Sequence, residues 1–198
     1  MTDKGSLSLV IFGSGSTGNM QIETGTLRVQ NTYPVGGISA ITSSSGSGSV
    51  GYITIQARNG VDVINGRIST FIEPGSRTQS TPGDITIETQ RVNIKDGGSI
   101  STNTFSSANA ANIYVKAAEY VDISGVTSQF NLNSTISSTT FMGTGNAGNV
   151  TIETPQLTLT QGGIINTNST KSNGNAGNIT IRAKDVEIDG FNFVAKEQ

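Results

Sequence analysis

The side chains that ordinarily carry out catalysis are sparse in this 198-residue chain. It contains no His and no Cys, which removes His-based triads, thiol nucleophiles, zinc and iron–sulfur ligation, and disulfides. Carboxylates and amines remain. Asp62, Asp122 and Glu187 fall at matching places in a repeated strand. Polysaccharide lyase chemistry would need such acids clustered beside Lys or Arg, to bind calcium or to abstract a proton. Here they alternate with Arg28, Asn93 and Thr158, so no compact triad forms. A second series, Glu23, Gln56, Glu88, Lys116, Glu153 and Arg182, ends in four residues of alternating sign. It reads as a surface ladder that sets register rather than as a catalytic or glycan-binding stripe. The series Thr54, Thr86, Thr151 and Thr180 would offer regular hydroxyls to an ice lattice, but Gln21 and Tyr114 interrupt it. No Gly-Gly-x-Gly-x-Asp calcium nonapeptide occurs, and the Asn-x-Ser/Thr triplets at Asn133, Asn149, Asn168 and Asn178 follow from composition. The residues therefore predict no enzyme, no cofactor and no metal.

Composition narrows the class further. The net charge is −2 with 13% charged residues, which argues against nucleic acid and against membrane adhesion through basic patches. No run of 18 apolar residues exists to span a bilayer. Met1 to Phe12 has one Lys and an apolar stretch, Leu7–Phe12, too short and too poorly flanked for an export signal. Without Cys the redox compartment stays open. Gly, Ser, Thr and Asn make up nearly half of the chain, yet Ile and Val number 35 against 6 Leu. That load of β-branched residues sets it apart from disordered polar chains and predicts an all-β, turn-rich fold.

The elements that position these residues come from an internal repeat. A small residue, one spacer and an apolar–x–apolar strand recur at Gly18-Asn-Met20-Gln-Ile22, Gly51-Tyr-Ile53-Thr-Ile55 and Gly83-Asp-Ile85-Thr-Ile87. The same pattern returns at Ala111-Asn-Ile113-Tyr-Val115, Gly148-Asn-Val150-Thr-Ile152 and Gly177-Asn-Ile179-Thr-Ile181. The anchors lie 33, 32, 28, 37 and 29 residues apart. Seven or eight residues after each first apolar position comes a second strand: Leu27/Val29, Val61/Val63, Val92/Ile94, Val121/Ile123, Leu157/Leu159 and Val186/Ile188. A third follows a Gly-rich corner at Ile38, Ile68, Ile100, Ile136 and Ile165. One unit cannot bury its apolar face, but stacked units can. The expected fold is a right-handed parallel β-helix, a β-solenoid of about six full coils with three short strands each. At about 4.8 Å per coil it would form a rod of roughly 30 Å. A doubly wound α/β fold would need amphipathic helices between strands, and a β-sandwich would not repeat strand identity at this period.

The pattern makes residues 1–198 a single solenoid segment. Ser6–Phe12 aligns with Ser99–Phe105, so residues 1–17 form a partial coil, and neither end carries an evident cap. The segment is expected to be a slice of a longer array, with end-to-end self-association at its open coils. The 37-residue spacing reflects a corner insertion near residues 126–133. Its residues Gln129, Phe130, Asn131 and Leu132 are a candidate surface contact loop, the alternative being that Phe130 and Leu132 fold back over the neighbouring coil. Asn112, Asn149 and Asn178 should form an amide ladder at one corner, and Phe105 should stack on Phe141.

Gly145-Asn-Ala-Gly-Asn-Val-Thr-Ile152 and Gly174-Asn-Ala-Gly-Asn-Ile-Thr-Ile181, with Leu157-Thr-Leu-Thr-Gln-Gly-Gly-Ile164 and Val92-Asn-Ile-Lys-Asp-Gly-Gly-Ser-Ile100, resemble the repeat core of filamentous haemagglutinin-like exoproteins of cyanobacterial type. The resemblance covers nearly the whole chain. It implies a right-handed parallel β-helix shaft exported by two-partner secretion through an outer-membrane pore protein. It also implies a secreted or cell-surface location and a structural or adhesive role toward surface glycans or other cells. The family's secretion domain, with its Asn-Pro-Asn motifs, has no counterpart here: none of Pro34, Pro74, Pro82 or Pro155 follows Asn. No binding residue is carried over from the family. A polysaccharide-active enzyme or glycan-binding module on the same solenoid is the alternative.

Overall fold

The computed structural model describes residues 5–32, 36–128 and 131–190. Two parallel six-stranded sheets run along the molecule. One holds the short strands β1 (Ser6–Ile11), β3 (Gly37–Thr42), β5 (Arg67–Ile72), β7 (Ser99–Thr104), β9 (Thr135–Phe141) and β11 (Ile164–Thr170), in that order. The other holds the long strands β2 (Met20–Gln30), β4 (Ile53–Ile64), β6 (Ile85–Lys95), β8 (Ile113–Ser124), β10 (Val150–Thr160) and β12 (Ile179–Ile188). Long and short strands alternate along the chain, and each pairs with its counterpart one coil away. The molecule is an all-β parallel solenoid of about six turns. β1 pairs with β3 from Ser6↔Gly37 to Ile11↔Thr42, the short-strand position expected of it.

Each coil holds two strands, because the first and second apolar segments of the repeat run on as one long strand. A register shift marks the junction: Thr24/Thr26 in β2, Ala57/Val61 in β4, Thr89/Arg91 in β6 and Glu153/Gln156 in β10. The cause is legible in the apolar spacing: each shift lies between a strand of spacing seven and one of spacing eight, and β10 and β12, both of seven, pair without one. In β6 Ile85 and Ile87 point inward, as do Val92 and Ile94, so the inward phase flips, whereas in β4 Ile53, Ile55, Val61 and Val63 keep one phase. A strand has a period of two and can flip phase only by inserting a bulge. β4 and β8 carry one residue more than β6 and β10, which explains why the spacing is seven in some units and eight in others.

The residue after each of the first five long strands, Asn31, Asn65, Asp96, Gly125 or Gln161, has φ between 44° and 85°. Asn, Asp and Gly tolerate this left-handed conformation best, and Gln161 is the exception. The interior is a stack of like residues. Ile55, Ile87, Val115 and Ile152 are paired coil to coil and buried. Ile38, Ile68, Ile100 and Ile136 do the same across the cavity. Burying each such Ile stabilises the fold by about 1.5–3 kcal/mol. On β12 the matching Ile181 and Ile188 are 38% and 74% exposed.

Candidate functional site

The ladders expected on the long-strand sheet form in register. Glu88 pairs with Lys116, Lys116 with Glu153, and Glu153 with Arg182. Only Glu153 and Arg182 close into an ion pair, at 2.8 Å. In the second half of the strands Asp62 accepts from Arg28 at 3.3 Å and from Asn93 at 2.8 Å, and Asp122 pairs with Lys95 at 2.9 Å. The Asp122 hydrogen bond raises the Lys95 pKa, with a smaller opposing effect from burial. Asp62 and Asp122 are thus occupied with their neighbours. An open depression of about 540 Å³ at the bend of this sheet is lined by the same charged ladder.

The corner ladders also form. The Asn112 backbone N–H and Nδ2 donate to Asp84, at 2.8 and 3.1 Å. Asn149 and Asn178 repeat the pattern on Asn112 and Asn149, with backbone bonds of 2.9 and 2.8 Å and side-chain bonds of 3.2 Å. A parallel series that the sequence reading passed over links Asn109, Asn146 and Asn175 through 2.8 Å bonds. Its signal was the Asn that opens each Asn-Ala-Gly-Asn tetrapeptide.

The feature most capable of recognition lies on the other sheet. The strand period turns Ile100, Thr102 and Thr104 inward and Ser99, Ser101, Asn103 and Phe105 outward. Stacked over successive coils, the outward residues make three rows: Arg67, Ser99, Thr135, Ile164; Ser69, Ser101, Ser137, Asn166; and Phe71, Asn103, Thr139, Asn168. All of them but Ser69 line a groove of about 500 Å³. At the C-terminal ends of the strands it is bounded by Phe71, Phe105 and Phe141. Phe105 and Phe141 stack at 4.8 Å and 14°, as expected, and Phe71 meets Phe105 at 5.6 Å in a tilted contact.

At the N-terminal ends the boundary is the corner insertion. Gln129 and Phe130 lie outside the described residues. Asn131 is exposed, and its backbone N–H donates to Thr127 O at 2.9 Å. Leu132 is half-buried and lines the groove beside Asn133. The neck is tied by the antiparallel bridge Val126↔Asn133, by Thr127 N–H donating to Leu132 O at 2.8 Å, and by Asn133 Nδ2 donating to Gly162 O at 2.6 Å. Thr127 and the Leu132 carbonyl lie against the turn of the preceding coil, where Gly97 has φ +79° and a Cβ would collide with Thr127 Cγ2. Leu132 thus forms part of one wall of the groove.

Inward and outward hydroxyls of the short strands differ sharply. Inside, Thr102 Oγ1 and Ser138 Oγ lie 2.8 Å apart and reach the Ala111 carbonyl at 2.7 and 3.1 Å, and Ser138 accepts the Gly148 N–H at 2.8 Å. Thr167 donates to Gly177 O at 2.8 Å. Thr70 Oγ1 and Thr42 Oγ1 are inward exceptions, with no partner among the described residues. Outside, the Ser69, Ser101, Ser137 and Thr139 hydroxyls bond to no described residue and stay open to solvent, while Arg67 Nε and Asn166 Oδ1 on the same face are buried without a described partner. Sequence reasoning missed these rows because it read the third strand through its Ile alone; the alternation Ser99-x-Ser101-x-Asn103-x-Phe105 was the available signal. No family model, curated protein or solved structure matches this chain.

Proposed function

We propose that this chain is a shaft segment of a larger secreted or cell-surface exoprotein, with a structural and adhesive role and no catalytic step. The observation that supports this best is the unbroken coil-to-coil strand pairing of both sheets. It makes a rod whose surface repeats along its length, a form suited to spacing and to multivalent contact. The winding is read as right-handed, the hand that parallel crossovers take. Each long strand is read as two strand segments joined at its bulge, which gives three per coil. The family resemblance adds an outer-membrane pore protein as the export partner of the parent protein, and surface glycans or neighbouring cells as contacts.

Antibodies raised against the chain should stain intact cells of the organism that makes it, and protease treatment of those cells should remove the stain. Staining only after permeabilisation overturns the proposal. A glycan-binding module is the second reading, favoured by the groove between the Phe row and the 126–133 loop.

A further inference from the structure

We infer that the groove on the short-strand sheet binds a linear, uncharged polysaccharide laid along the rod axis, with sugar hydroxyls on the Ser/Thr/Asn rows and pyranose faces on the Phe row. The inference deepens the adhesive reading above and rests on it for biological context. Its first support is the hydrogen-bond imbalance. Buried polar groups are nearly always partnered, and each one left alone costs about 1–3 kcal/mol. The inward Thr102, Ser138 and Thr167 obey this rule. In the groove lining Asn166 Oδ1 and Arg67 Nε are buried and have no partner among the described residues. The Ser101 and Thr139 hydroxyls beside them bond to no described residue and open on the groove. A ligand rich in hydroxyls supplies both donors and acceptors to such a floor.

The second support is the half-buried aromatic boundary. Phe71, Phe105 and Phe141 form a continuous apolar strip, suited to the C–H faces of a sugar ring. An apolar wall beside a few convergent polar groups is the usual make-up of a small-molecule cleft. Charge selects the kind of glycan. Arg67 is the one ionisable residue of the lining among the described residues, whereas the charged ladders sit on the other sheet. A polyanion would therefore meet a single cation. Geometry sets the direction. The rows repeat at the strand spacing of about 4.8 Å, close to the advance of one pyranose in an extended chain, so successive coils offer successive sugars similar contacts. A peptide fits less well. The groove crosses the middle of a sheet whose backbone groups are already paired, and it lacks the free edge that strand addition uses.

The test is calorimetric titration of the full 198-residue chain with cellohexaose, mannohexaose and hexagalacturonate. One of the two neutral hexasaccharides should bind, and more tightly than the uronate. Ser101→Ala should weaken that binding severalfold while leaving the melting temperature unchanged or slightly raised, because no protein bond is lost. Phe105→Ala should weaken it about tenfold, the scale of a lost aromatic contact. Glu153→Gln, on the other sheet, should leave it unchanged. Binding to neither neutral hexasaccharide, tighter binding of the uronate, or affinity indifferent to both groove variants overturns the inference. These results leave the shaft proposal standing, since that is decided separately by staining of intact cells.

Discussion

Replacing Ile87 with alanine should cost far more stability than the same change at Ile181, although both residues occupy one ladder of the repeat. Ile87 is fully buried and lies between Ile55 and Val115 of the adjoining coils. Ile→Ala changes in cores cost about 2–5 kcal/mol, depending on how far the cavity can collapse. Collapse is restricted here, because the coils on both sides are held at strand spacing by backbone hydrogen bonds. That puts the cost at about 3–5 kcal/mol. Ile181 is 38% exposed and pairs with Ile152 alone, so its truncation should cost about 1–2 kcal/mol. For a chain of this size each kcal/mol shifts the midpoint by about 2–4 °C. Ile87→Ala should thus lower it by about 6–20 °C and Ile181→Ala by no more than about 8 °C. Far-UV circular dichroism on heating reads the midpoint. Hydrogen exchange then shows whether the loss is local, as expected where each coil touches only its neighbours. Equal losses at the two positions would refute the stacked-core argument. Ile87→Asp is the harsher variant: it strands a charge in the core and should unfold several coils. An unchanged melting curve for it would mean that the inward assignment is wrong.

Gly97→Ala should destabilise the chain by at least about 1–2 kcal/mol, the cost of a left-handed non-Gly residue, and should loosen the 126–133 loop, because the new methyl group meets Thr127; unchanged exchange rates at Thr127 and Asn131 would count against that packing. Asn149→Ala should cost about 1 kcal/mol by removing the acceptor of the Asn178 N–H, whereas Asn149→Asp, which copies Asp84 in the same ladder, should cost less in denaturant titration; the reverse order would refute the ladder. Lys95 has a raised pKa in the fold, chiefly from its hydrogen bond to Asp122. Its contribution should therefore be fully present below its ordinary value of 10.5 and be lost as pH rises through the higher folded value. Lys95→Met should abolish that alkaline component of the pH–stability profile, and a difference between the variant and the parent that stays constant from neutral pH to well above 10.5 would contradict it.

The repeat alone determined the stacking, since Ile, Val and Leu recurring at one phase in six units can be buried together only by stacking one unit on the next. It also determined the Phe105–Phe141 contact and the corner Asn ladder, which need nothing beyond equal positions in adjacent coils. The tertiary structure decided what depends on where backbone and side chains meet. The first two strand segments of each unit run on as one strand, and the one-residue difference between spacings of seven and eight is taken up as a register shift between neighbouring coils. The loop at 126–133 lies against the Gly97 turn, a contact between positions about thirty residues apart that no local pattern encodes. The groove was hidden for the same reason. Ser101, Thr139 and Asn166 read in sequence as ordinary outward polar residues, and only the stacking of coils sets them side by side in a groove between the Phe side chains and Leu132.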